Sequence, residues 1–203
     1  MENRLVVFVF GGAGSGKSLL LDILKKKYKA FVIEADKTAH ELYEPEREGY
    51  NAVIKLLGRN ILNKDGTLNR KAMGEVLYKN TELINKINEL IHPMVWESIS
   101  NKIRAIKQRN ENSLIVVEAA LIPEDKRELK NMFDSYWFVY ADKKIRRKRL
   151  KESRNYSDER ISDIMEKQPL TKDYIKFCDV LIENNSDCEE LEKKLEGLLF
   201  RLD

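Results

Sequence analysis

The sequence predicts an α/β fold, a mostly parallel five-stranded sheet with helices on both faces in three layers. Three observations carry this. Five short runs rich in β-branched and aromatic residues are spread along the chain. Helix-forming stretches separate them, and such alternation implies crossover connections and a parallel sheet. The first run is apolar without alternation, as in a strand buried on both faces.

Taken in order, Leu5–Phe10 (LVVFVF) is the first strand, and a glycine-rich loop follows it. Leu19 to Tyr28 holds helix formers throughout. Ala30–Ile33 is the second strand, Ser113–Val117 the third, Tyr136–Tyr140 the fourth and Val180–Ile182 the fifth. Two segments are longer than an ordinary crossover. From Asp36 to about Asn112 the chain is polar and helical, punctuated by Pro45, Gly58, the turn Asn63-Lys-Asp-Gly66 and Pro93. There a helix is predicted over Asn80–Leu90, with Asn80 as N-cap and Leu83, Ile84, Ile87, Leu90 and Ile91 on one face. From Lys143 to Phe177 the chain is again helical and heavily charged.

Composition narrows the function. The chain has 203 residues, 42% hydrophobic and 35% charged, with Lys+Arg 37 against Asp+Glu 34 and a net charge of +3. A chain of this length buries roughly 70% of its unfolded surface, enough for a full core. Disorder needs low hydrophobicity and a large net charge, and neither is present. The near-balance of charge argues against a nucleic-acid partner. Cys178 and Cys188 cannot build a disulfide framework or a metal cluster, and read as reduced thiols. The N-terminal apolar run is too short for a signal segment or a membrane span. The expectation is a soluble, cytoplasmic protein with no membrane partner.

The chemistry begins at Gly11-Gly-Ala-Gly-Ser-Gly-Lys17-Ser18, which fits the Walker A pattern G-x-x-x-x-G-K-[ST]. Glycines let the backbone curl so that N–H groups converge on phosphate oxygens. The following helix aims its N-terminal N–H groups at the same place. Gly11, Gly12, Ala13, Gly14, Ser15, Gly16, Lys17, Ser18 and Leu19 are therefore the predicted nucleotide-phosphate-binding segment. Lys17 supplies a charge for the β and γ phosphates, and the Ser18 hydroxyl a ligand for Mg²⁺.

In a doubly wound sheet, ligands lie beyond the carboxyl ends of the strands. Ile33-Glu34-Ala-Asp36 closes the second strand, so Asp36, with Glu34 beside it, is a candidate to orient an acceptor hydroxyl and take its proton. Asp36 also suits the N-cap of a helix starting at Lys37, and the two roles are compatible. Glu118, after the third strand, reads either as an acid reaching Mg²⁺ through water or as a polar strand end. Glu124 is a further candidate.

These segments together resemble the dephospho-CoA kinase family. GGAGSGKS, IEADKTAHELYEP, LNKDGTLNRKAM, LIHPMV, VVEAALIPE and CDVLIENN follow that family's order and spacing over nearly the whole chain. The resemblance implies a P-loop kinase with a five-stranded core, a helical substrate-binding region and a helical lid. The implied reaction is phosphorylation of the ribose 3′-hydroxyl of dephospho-CoA by Mg-ATP, the last step of coenzyme A synthesis. The implied division is core 1–36, 112–142 and 178–203, substrate region 37–111 and lid 143–177. Lys17 and Ser18 match the family's phosphate and Mg²⁺ residues, and Asp36 its general base. Arg70 follows the family's polar turn and reads as a substrate-phosphate contact or a solvated first-turn residue. His92 sits in its His-Pro pair and reads as a hydrogen-bonded structural residue rather than a catalyst.

The chain departs from that pattern at Glu34, at Ala119–Pro123, at Ser153 and at Thr171, where the family usually has an arginine three positions after Gln168. The departures leave room for two other readings. One is a kinase of a nucleoside or nucleotide, the other a nucleotide-sensing protein without turnover. The charge is also uneven. Lys143, Lys144, Arg146, Arg147, Lys148, Arg149, Lys151 and Arg154 stand against Glu152 alone in twelve residues. A basic helix on nucleic acid, a solvated face and a lid neutralising a transferring phosphoryl group all fit this run. On the lid reading Arg146 and Arg149 make the contact.

Overall fold

The computed structural model describes residues 5–78, 80–109, 114–120, 129 and 131–200. In chain order, β1 (Leu5–Phe10) is followed by α1 (Lys17–Tyr28), β2 (Phe31–Glu34), α2 (Ala35–Leu42) and α3 (Glu48–Leu57). A single 3₁₀ turn at Arg59–Ile61 leads to α4 (Arg70–Tyr78) and α5 (Thr81–Gln108). Then come β3 (Leu114–Ala119), β4 (Ser135–Tyr140), α6 (Lys143–Arg154), α7 (Asp158–Glu166), α8 (Thr171–Phe177), β5 (Val180–Glu183) and α9 (Cys188–Leu199). The five strands lie in the order β2-β3-β1-β4-β5. The pairings of β1 with β3, β1 with β4 and β4 with β5 are parallel. The α/β class and the five strands agree with the sequence to within a residue or two at most ends; β3 runs two residues further, to Ala119. Ser113, Pro123 and Glu124 lie outside the described residues.

Each unit of the chain has its own interior. One unit comprises Met1–Val32 with Asn110–Asp203, the other Ile33–Arg109. In the first, β1 is buried on both faces from Val6 to Phe10, as its unbroken apolar run requires. Val7 and Val9 point to a mainly aliphatic layer that holds Leu20, Leu24, Ile182, Leu191 and Leu195 beside Trp137, so α1 and α9 cover that face. Phe8 and Phe10 point the other way, into an aromatic layer. There Phe10 lies 5.6 Å from Phe138 and 5.8 Å from Tyr174, and Tyr136 lies 5.0 Å from Phe177. The aromatic side chains of α8 thus close the second face.

The second unit is helical, with α5 as its longest element. Asn80 caps it, accepting from the Leu83 N–H at 3.2 Å. The predicted end at Leu90 is corrected: α5 continues through Pro93 to Gln108. Proline costs the helix one hydrogen bond, but Pro93 is exposed, and Ile87, Ile91, Val95 and Ile99 form a continuous buried stripe on either side of it. Ile84 and Leu90 are exposed. The turn at Asn63–Gly66 is present, with Gly66 at φ 85°, the left-handed region glycine favours. Asn69 then caps α4 by accepting from the Ala72 N–H at 3.0 Å. No helix among the described residues is long and apolar enough to cross a membrane.

Candidate active site

The glycine-rich loop leaves β1 at the carboxyl end of the sheet and runs into α1, whose helix begins at Lys17. Its carbonyls are occupied by neighbours. Gly11 O accepts from Lys17 Nζ at 2.8 Å, and Ala13 O from Arg146 Nε at 2.8 Å. Ser15 O accepts from Asn184 Nδ2 at 2.8 Å and from Arg149 Nη1 at 3.3 Å. Gly12 O and Gly16 O accept from the Ser15 and Leu20 N–H groups. No side chain caps α1, so the N–H groups of its first turn remain for an anion, on the positive end of the helix dipole.

Neighbours press close on the loop's glycines, and at Gly11 the neighbour is backbone that cannot swing away. A Cβ on Gly11 would sit 2.5 Å from the Val139 carbonyl oxygen. On Gly12 it would strike the Arg146 guanidinium and sit 2.7 Å from Gln168 Oε1. On Gly16, at φ +96°, it would strike Asn184 Nδ2. A tight cradle of this kind, with the Ser15 hydroxyl buried in it and no hydrogen-bond partner there, fits a polyphosphate.

Lys17 also lies 3.6 Å from Glu118, with both side chains mostly buried. Glu118 is in register with Val9, one residue before the loop-bearing end of β1, which explains the pairing. Ser18 stands exposed in the first turn of α1 beside exposed Leu19. Among the described residues no group of three or more His, Cys, Asp or Glu could hold a metal. The hard-oxygen donor of Ser18 suits Mg²⁺, which takes one or two protein oxygens and the rest from phosphates and water.

The basic run divides by helical face. Arg146 and Arg149, three apart on α6, both turn to the loop. Arg146 also donates to Gln168, and Arg149 to the Asn184 carbonyl at 3.0 Å. Burial lowers the Arg146 pKa, yet a guanidinium stays charged at any physiological pH. Arg147 and Lys151 turn to Asp158, and Lys148 to Glu152. The helix ends at Arg154, closed by Asn155 in the left-handed conformation, and Arg154 is exposed. Ser153 donates to its own helix, to the Arg149 carbonyl.

The second unit holds the other predicted residues. The N-cap expectation for Asp36 is corrected: α2 begins at Ala35 and Glu34 occupies the cap position. Asp36 is exposed in the first turn, where a carboxylate is favoured by the dipole. Glu34 accepts from Lys37 Nζ at 2.7 Å. A cleft of about 590 Å³ is lined by Lys37, His40, Tyr43, Arg70, Met73 and Leu77 among others. Its size is that of a small-molecule site. Arg70 belongs to it; His92, exposed on α5, does not.

Asn184 and Gln168 had no role in the sequence reading. Asn184 belongs to the recognised segment CDVLIENN, which was the available signal; Gln168 entered only as the landmark for Thr171.

Comparison with known proteins agrees with this architecture. The dephospho-CoA kinase family model matches residues 5–190. The dephospho-CoA kinase of Lactobacillus acidophilus is 29% identical over 198 residues, 97% of this chain and 96% of that protein. The solved dephospho-CoA kinase of Campylobacter jejuni superposes with a TM-score of 0.71 at 21% identity, covering 100% of this chain and 98% of that one. A shikimate kinase from Bacteroides thetaiotaomicron shares the fold more distantly, with a TM-score of 0.57 at 14% identity over 96% and 98%. With a complete glycine loop, its lysine and two loop-facing arginines, the chain belongs to the dephospho-CoA kinase family of P-loop kinases.

Proposed function

We propose that the protein transfers the γ-phosphoryl group of ATP to the ribose 3′-hydroxyl of dephospho-CoA, giving coenzyme A and ADP. The observation that carries the kinase chemistry is the loop whose carbonyls are held by Lys17, Arg146, Arg149 and Asn184 while no side chain caps the first-turn N–H groups of α1. The match to dephospho-CoA kinases over nearly the full chain supports the acceptor.

In this reading the loop amides and Lys17 hold the phosphates. Ser18 holds Mg²⁺, which when bound neutralises phosphate charge. Asp36 orients the 3′-hydroxyl and accepts its proton. The 3′-oxygen bonds to the γ-phosphorus as the bond to the β–γ bridging oxygen breaks, and ADP leaves with that oxygen. Arg146 and Arg149 stabilise charge on the group in transit; a lid arginine of this kind is worth about 10³-fold or more in rate. The cleft of the second unit offers apolar Tyr43, Met73 and Leu77 with cationic Lys37 and Arg70. That combination suits the long arm and diphosphate of dephospho-CoA. The test is coupled ADP release across a panel of acceptors, with mass detection of coenzyme A. ADP release with a nucleoside monophosphate and none with dephospho-CoA would reverse the assignment of the acceptor.

A further inference from the structure

Gln168 lies in the short link between α7 and α8, and its side chain reaches back to the glycine loop. Its Oε1 accepts from Arg146 Nη2; only the carbonyl end of the amide can accept, so the orientation is fixed by chemistry. The same oxygen and the guanidinium both crowd the position of a Gly12 Cβ, with Arg146 Cζ at 2.6 Å and Gln168 Oε1 at 2.7 Å. Gln168 and the Ala13 carbonyl therefore clamp Arg146 directly over the loop backbone. Both acceptors are neutral, and Arg146 is in no ion pair among the described residues. A half-buried arginine usually finds a carboxylate. Here its charge is oriented but not cancelled.

We propose that Gln168 is a positioning residue: it fixes Arg146 over the phosphate loop while leaving its full positive charge for the nucleotide. The chemistry selects glutamine over glutamate. A glutamate has the same shape and would bond the guanidinium more strongly, but as a carboxylate it would neutralise the charge and repel phosphate. Function and stability thus pull in opposite directions at this position, and that separates a positioning role from a structural one. The inference rests on the proposed kinase reading for its turnover arm and on nucleotide binding alone for its affinity arm.

The experiment compares the whole protein with Gln168→Glu, Gln168→Ala, Arg146→Ala and the double variant Arg146→Ala/Gln168→Glu. It records melting temperature, Mg-ATP affinity by calorimetry and turnover with dephospho-CoA. Gln168→Glu is expected to melt at or above the wild type, bind Mg-ATP about 3- to 10-fold more weakly and turn over about 10- to 100-fold more slowly. Gln168→Ala, which frees the arginine without neutralising it, should lose less turnover than Gln168→Glu. In the Arg146→Ala background the glutamate should cost little more, because the pair acts as one unit. Wild-type affinity and turnover in Gln168→Glu overturn the proposal. So does an undiminished loss in the Arg146→Ala background, and so does a loss accompanied by a lower melting temperature. A wild-type protein inactive with dephospho-CoA refutes the acceptor reading instead, and the affinity arm still decides the role of Gln168.

Discussion

At the scale of single residues, the loop is defined by what surrounds it as much as by its own glycines. Gly16 combines a left-handed backbone with the Asn184 amide pressed against it. Gly16→Ala should therefore displace the loop by a good fraction of an ångström and reduce Mg-ATP affinity about 10²-fold, read by calorimetry. Asp36 is the opposite case, exposed in the first turn of α2. Asp36→Asn should cut turnover about 10²- to 10⁴-fold and leave Mg-ATP affinity nearly unchanged. Affinity falling in step with turnover would remove Asp36 from the role of base. The Walker A residues were legible because the motif states their spacing outright. The partners of the loop were not, because a hydrogen bond between Ser15 and Asn184 leaves no trace in local pattern.

At the scale of elements, α6 shows how one charged helix serves several purposes. Its eight cations read from sequence as a block, but the helical period sorts out a loop-facing pair, Arg146 and Arg149, from three that meet acids, Arg147, Lys148 and Lys151. The helix must stop promptly so that α7 can fold back, and Asn155 at φ 49° provides the stop. Asn155→Val should destabilise the protein by about 1–2 kcal/mol in urea unfolding, whereas Asn155→Gly should not, since only the branched side chain opposes the left-handed conformation. The end of α5 was misjudged for the converse reason. Proline is a strong local signal, but a buried isoleucine stripe on both sides of an exposed Pro93 outweighs one lost hydrogen bond.

At the scale of the whole molecule, strand count and class were legible because the apolar runs differ in kind from the helical stretches around them. The strand order was not, since β1 has neighbours that come long after it in the chain. That arrangement has a temporal consequence. The Val6 N–H bonds Asp134, 128 residues on, and the Ser15 carbonyl bonds Asn184, 169 residues on. The second unit, by contrast, is one continuous stretch. Local contacts form early and distant ones late. Hydrogen-exchange pulse labelling during refolding should protect the amides of α5 before those of β1, and simultaneous protection would contradict this order. On a ribosome adding about 5–20 residues per second, the first strand and its loop wait roughly ten to forty seconds for their last partners to be made. The segment proposed to grip the nucleotide is thus made long before its partners and is among the latest to acquire its shape.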